Sequence, residues 1–132
     1  MSEKKILALV IEDDYDASII FSEALKANGA ETEIIRSGTL ALERLSQIEV
    51  APDIVLLDLH LPGVDGTKIL TSIRANKKLK SVPVVVITAD PGMAETLTDD
   101  TELVLLKPTT FSQVRALTSR ILLMHGSSLK SS

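Results

Sequence analysis

The sequence contains no cysteine. That excludes disulfide frameworks, thiolate zinc sites, iron–sulfur clusters and a thiol nucleophile, and it fits a reducing compartment. Positive charge is in deficit: 14 Lys and Arg face 18 Asp and Glu, a formal net charge of −4. This is the wrong sign for a nucleic-acid surface, where cations must replace phosphate counterions, so no direct nucleic-acid binding is expected. Long hydrophobic runs are missing too. The longest uninterrupted apolar stretch is Ile6–Ile11, far short of the roughly 20 residues that span a bilayer. The charged start Met1–Lys5 has no apolar core of a signal peptide. A soluble, cytoplasmic protein with no membrane contact is therefore expected. Its 132 residues suit one domain able to bury a core without staples.

Four short apolar runs are present: Ile6–Ile11, Ile54–Leu57, Val84–Ile87 and Leu103–Leu106. All are continuous rather than alternating, the pattern of strands buried on both faces of a parallel sheet. Glu31–Arg36, flanked by charge, reads as a fifth strand at an edge. Helical spacing separates the strands. Ala17, Ile20, Ala24 and Leu25 form the apolar face of a first helix that Asp14 can cap and Gly29 can stop. A second helix from Gly38 presents Ala41, Leu45 and Ile48, and a third after Gly66 presents Ile69, Leu70 and Ile73. The last places Val114, Leu117, Ile121 and Met124 on one side, opened by Thr110 and Gln113 at capping-box spacing. Between Met93 and Asp99 the pattern of a fourth helix is weak. Phe21 and Phe111 are expected in the core and Tyr15 in solvent. Regular strand–helix alternation predicts an α/β sheet with right-handed crossovers, and ligand chemistry at the carboxyl ends of its strands.

Those ends carry the polar groups. The first strand runs into Glu12, Asp13 and Asp14, where a dinucleotide fold or a P-loop would need glycines or Gly-Lys-Ser/Thr. Carboxylates suit a hard divalent cation such as Mg²⁺, although an acidic turn capping a helix would look similar, and capping is the expected role of Asp14. The third strand ends at Asp58, and an ionisable group closing a buried strand needs a partner. Asp53 begins the same strand, about 16 Å away at 3.3 Å per residue, and reads as a solvated or turn residue. Thr88 ends the fourth strand and Lys107 the fifth. Taken singly each could be a bland strand terminus. Together they describe phosphoryl transfer to a carboxylate: Asp58 as nucleophile, with Mg²⁺, Lys107 and the Thr88 hydroxyl meeting the charge on the phosphoryl oxygens.

Five stretches carry a resemblance to a known family: Val10–Asp14 (VIEDD), Ser37–Leu42 (SGTLAL), Pro52–Gly66 (PDIVLLDLHLPGVDG), Val82–Ala89 (VPVVVITA) and Leu105–Pro108 (LLKP). In this order they resemble the receiver domain of two-component response regulators. The resemblance implies a flavodoxin-like, doubly wound five-stranded parallel sheet of strand order 2-1-3-4-5 in a single domain over residues 4–124. Residues 125–132 are then a disordered tail or a truncated linker. It implies that Asp58 accepts phosphate from a sensor histidine kinase or a phosphotransfer protein. Mg²⁺ would be held by Glu12, Asp13, Asp58 and the His60 backbone carbonyl, with Thr88 as switch hydroxyl and Lys107 as phosphate partner. The Lys107–Pro108 bond matches one that is usually cis.

The sequence departs from the family at two places. Val104 stands where an aromatic switch residue is typical, and the stretch between Thr88 and Lys107 is short, with Pro91-Gly92 at the start of the fourth helix. The leading expectation is a phospho-accepting switch that acts on a downstream protein. It would not be an enzyme beyond its own phosphorylation and dephosphorylation, and a homodimer is left open. The alternative is a pseudo-receiver, an interaction module not controlled by phosphorylation. An aspartyl-phosphate phosphatase would want a second Asp where His60 stands.

Overall fold

The computed structural model describes residues 5–96 and 101–130. Strands and helices alternate as β1 (Ile6–Ile11), α1 (Tyr15–Ala27), β2 (Ala30–Ile35), α2 (Gly38–Ser46), β3 (Ile54–Asp58), α3 (Gly66–Ala75), β4 (Val84–Thr88), α4 (Pro91–Thr96), β5 (Leu103–Leu106) and α5 (Phe111–Lys130). The five strands form one parallel sheet in the order β2-β1-β3-β4-β5. This is the expected flavodoxin-like topology, in which the chain reverses direction across the sheet between β1 and β3.

The apolar runs of β3 and β4 are buried along their whole length. A strand covered by helices on both faces must be apolar at every position. Alternate residues feed two cores. Leu9, Ile11, Val55, Leu57, Val84 and Val86 face one side with Ile69 and Ile73 of α3. Val10, Leu56, Val85 and Ile87 face the other with Phe21 and Leu25 of α1 and Ile121 of α5. β2 is an edge strand as expected. Its exposed Glu31 pairs with Lys5 at 2.9 Å and Glu33 with Arg44 at 2.9 Å, charges that discourage edge-to-edge pairing.

Several expectations are corrected. The Leu103–Leu106 run is not buried on both faces: it forms the other edge, half-buried, with Leu106 46% exposed. Only β4 flanks it, and the adjacent α4 has six residues. In α1 the buried face is turned by about one position, so Ile20 is exposed while Ser18 and Ser22 are buried. The serines are tolerated because their hydroxyls are bonded, Ser18 Oγ to the Tyr15 carbonyl and Ser22 Oγ to Thr32 Oγ1. In α5, Val114 and Ile121 are buried with Thr118, which donates to the Val114 carbonyl at 2.6 Å. Met124 and Phe111 are exposed. Helix α4 begins at Pro91, not Met93, because proline fits a first helical turn, where its missing N–H is not needed. Leu97–Asp99 of the expected helix lie outside the described residues. The α5 backbone runs to Lys130; Ser131 and Ser132 lie outside the described residues.

The helices begin at the carboxyl edge of the sheet, where side chains cap their first turns. Asp14 accepts from the Ala17 N–H at 2.8 Å, Ser37 from Leu40 at 3.3 Å and Asp65 from Thr67 at 2.9 Å. Thr110 and Gln113 bond reciprocally at 3.0 and 3.1 Å, the expected capping box. Gly29 adopts φ 89° as the stop after α1. Gly66 serves close approach: a Cβ there would lie 2.5 Å from Leu59 Cα. At the opposite edge Asp53 is neither merely solvated nor a turn former. Its N–H donates to the Leu7 carbonyl and its Oδ2 accepts the Leu7 N–H, both at 2.8 Å.

Candidate functional site

Parallel pairing sets Ile11 beside Leu57, so the next residues along the two strands, Glu12 and Asp58, emerge side by side. Both are 1% exposed. Continuing the alternation of β5, Lys107 arrives on the same face. Its Nζ lies 3.1 Å from Asp58 Oδ2 and 3.4 Å from Glu12 Oε1. Asp58 Oδ1 accepts the His60 N–H at 2.9 Å, and Glu12 Oε2 accepts the Asp14 N–H at 3.2 Å. The structure thus brings Glu12, Asp58 and Lys107 into direct contact, with Asp13 exposed at the mouth.

The two buried acids are pushed apart in acidity. Glu12 is pushed up to about 8, first by burial and then by the neighbouring Asp58 carboxylate, against the opposing pull of the Asp14 amide and Lys107. Burial also pushes Asp58 upward, but bonding to Glu12, the His60 amide and the Lys107 ammonium outweighs it and holds Asp58 below the ordinary carboxylate range. Lys107 in turn is raised, because the two acids overcome its partial burial. Burial and the shared site thus favour the protonated form of Glu12 and the ionised form of Asp58 beside the Lys107 ammonium. An ionised Asp58 is a competent nucleophile.

Carboxylate oxygens of Glu12, Asp13 and Asp58 all lie within 4.8 Å of one another. Glu12 Oε1, buried, has no hydrogen-bond partner. Hard oxygen donors at this spacing, with Glu12 Oε1 held only by the 3.4 Å approach of Lys107 Nζ, fit a cation of the Mg²⁺ type.

Thr88 is fully buried at the end of β4. It follows Ile87, the pairing neighbour of Asp58, and so starts on the opposite face of the sheet. Its hydroxyl accepts the Asp90 N–H at 3.1 Å and is hydrogen-bonded to His60 Nε2 at 3.1 Å. The family resemblance assigns a role only to the backbone carbonyl of His60, whereas its imidazole links the β3 and β4 loops. Its position two residues beyond a strand-terminal Asp was the available signal. Lys107–Pro108 is cis, as the resemblance implied.

A model of the response regulator receiver domain matches residues 8–119. The chain belongs to the response regulator receiver family. A probable methanogenesis regulatory protein, FilR2 of Methanothrix harundinacea, is 30% identical over 123 residues, covering 86% of this chain and 79% of that protein. The DNA-binding response regulator MtrA of Mycobacterium tuberculosis is 38% identical over 81 residues. That match covers 61% of this chain and only 33% of MtrA, so the receiver spans about a third of that relative's length. The crystal structure of the phosphorylated cyanobacterial phytochrome response regulator RcpA superposes with a TM-score of 0.77 at 26% identity, covering 95% of this chain and 96% of that one. Among the described residues of this receiver, no helix is long and apolar enough to cross a membrane.

Proposed function

We propose that this receiver is a phospho-accepting switch whose acceptor is Asp58. The observation that carries the reading is the Asp58–Lys107 pair: a buried carboxylate held ionised, with an ammonium 3.1 Å away. The donor is a phosphohistidine on a sensor kinase or phosphotransfer protein, consistent with membership of a two-component family. An Asp58 oxygen attacks phosphorus, the P–N bond breaks, and the imidazole leaves and takes up a proton. The product is an acyl phosphate on Asp58. Lys107 stays within reach of both the carboxylate and a transferred phosphoryl oxygen, so its charge offsets the negative charge that gathers there. Thr88 supplies a hydroxyl donor to a second oxygen.

Mg²⁺ is the cofactor of this reading, held by Glu12, Asp13, Asp58 and the His60 carbonyl. When bound it supplies positive charge to the phosphoryl oxygens. On the protein side, Glu12 would have to be ionised to help hold the cation, directly or through a water.

The test is intact mass after incubation with acetyl phosphate and Mg²⁺. The wild-type chain gains one phosphoryl group and Asp58→Asn gains none. Lys107→Ala reacts roughly 10²- to 10³-fold more slowly, the usual effect of losing one preorganised electrostatic contact. A wild-type mass that never changes overturns the reading in favour of a pseudo-receiver.

A further inference from the structure

His60 touches both halves of the proposed switch. Through its backbone N–H it bonds Asp58 Oδ1 at 2.9 Å, and through its ring it bonds Thr88 Oγ1 at 3.1 Å. The Thr88 hydroxyl has one proton and two lone pairs. One lone pair takes the Asp90 N–H, and the bond to His60 is the other one it makes. Thr88 is buried and starts on the face of the sheet opposite Asp58, so reaching a group on Asp58 means leaving the ring.

We propose that the His60 imidazole is a positioning residue that holds the Thr88 hydroxyl in a resting place, so that engagement of a phosphoryl group on Asp58 must first break the His60–Thr88 hydrogen bond. The inference rests on Asp58 being the acceptor. It assigns to His60 a side-chain role separate from its backbone carbonyl, which every substitution at this position leaves in place. His60 itself is exposed, so replacing it opens no cavity.

The experiment follows binding of beryllofluoride with Mg²⁺ by amide NMR, together with hydrogen exchange of the Asp90 amide in the unliganded protein. His60→Phe keeps the ring's bulk and loses the bond. It is expected to bind beryllofluoride about 2- to 10-fold more tightly, the value of one net hydrogen bond. Its Asp90 amide should exchange faster, because the oxygen that accepts it is no longer held. His60→Gln, which can restore a bond to Thr88, returns both readouts toward wild type. In a Thr88→Ala background, His60→Phe changes neither. Wild-type affinity in His60→Phe, or an equal change with Thr88→Ala already present, overturns the resting contact and leaves Asp58 as acceptor untouched. Weaker binding in His60→Phe also overturns it, since the ring would then be helping Thr88 forward. A wild-type chain that does not bind beryllofluoride at all overturns the acceptor reading and this inference with it.

Discussion

Two strands of this receiver carry almost the same apolar word. Ile54–Leu57 reads IVLL and Leu103–Leu106 reads LVLL. In β3 every one of those side chains is at most 1% exposed, whereas in β5 all are partly or largely open and Leu106 is 46% exposed. Composition is nearly the same and position differs: β3 lies between two strands and two helical layers, while β5 has one strand neighbour and a short α4 beside it. Each ends in a charge, Asp58 and Lys107, and those charges meet at 3.1 Å. The acid is therefore delivered by a rigid element and the ammonium by a loosely covered one. Local opening is drawn from sparsely packed elements, so the β4–β5 side is where this receiver can open without disturbing Asp58.

The largest expected effect tests that contrast directly. Leu57→Ala should cost about 2–5 kcal/mol, as buried Leu truncations do. Leu106→Ala should cost under about 1 kcal/mol, since nearly half of its area is already in water. Urea denaturation of both variants checks this, and equal costs would dissolve the distinction between centre and edge.

Next in size is Gly66→Ala. The new methyl would press 2.5 Å from Leu59 Cα and 2.8 Å from its carbonyl oxygen, backbone that cannot swing aside. A loss of about 1–3 kcal/mol is expected from such overpacking. A sharper readout is a shift of the His60 amide resonance, because the β3–α3 loop must move. No change in either would mean the loop is as yielding as the β5 edge.

The smallest effect concerns charge. Folding raises Glu12 from 4.5 to about 8. A raised carboxyl contributes its stability fully below its unfolded value and loses it as pH climbs through the folded one. Asp58, held low, acts in the opposite sense, and its contribution is lost only as pH falls below its ordinary range. The metal-free protein should therefore weaken between about pH 5 and pH 9, by an amount on the order of 1–2 kcal/mol once relaxation around the buried charge is allowed for. Glu12→Gln has no such proton to lose and should show a flat profile. Denaturation in a chelator at several pH values decides it; parallel slopes for both proteins would locate the titrating group elsewhere.

Much of this was legible in the residues. Continuous apolar runs encode strands covered on both faces, and four polar strand ends converge only if the strands are parallel. What the runs could not convey was order of coverage. A buried centre and a thinly covered edge use the same letters when the edge residues also serve half a core, and so the run of β5 does not reveal its exposure. The buried face of α1 is hidden in the sequence because Ser18 and Ser22 read as polar, and only their hydroxyl partners let them face inward. Phe111 reads as core by size, yet it sits at the first turn of α5, before that helix settles onto the sheet. In the candidate site, Glu12, Asp58 and Lys107 followed from strand ends alone. The imidazole link to Thr88 did not, because it depends on how two loops fold back, and no periodicity specifies that.

The reciprocal bond between Leu7 and Asp53 gives the two acids a common origin of measurement. From Leu7 to Glu12 and from Asp53 to Asp58 the chain counts the same number of residues, along strands paired without a slip. The gap between the carboxylates is thus set like the marks on two rulers pinned at zero. Deleting one residue from β1 alone would draw Glu12 back by about 3.3 Å and turn it to the far face. Matching deletions in β1 and β3 would keep the two marks level with each other while moving both away from Lys107. The spacing on which any cation or phosphoryl group depends is thereby written at the end of the molecule farthest from it.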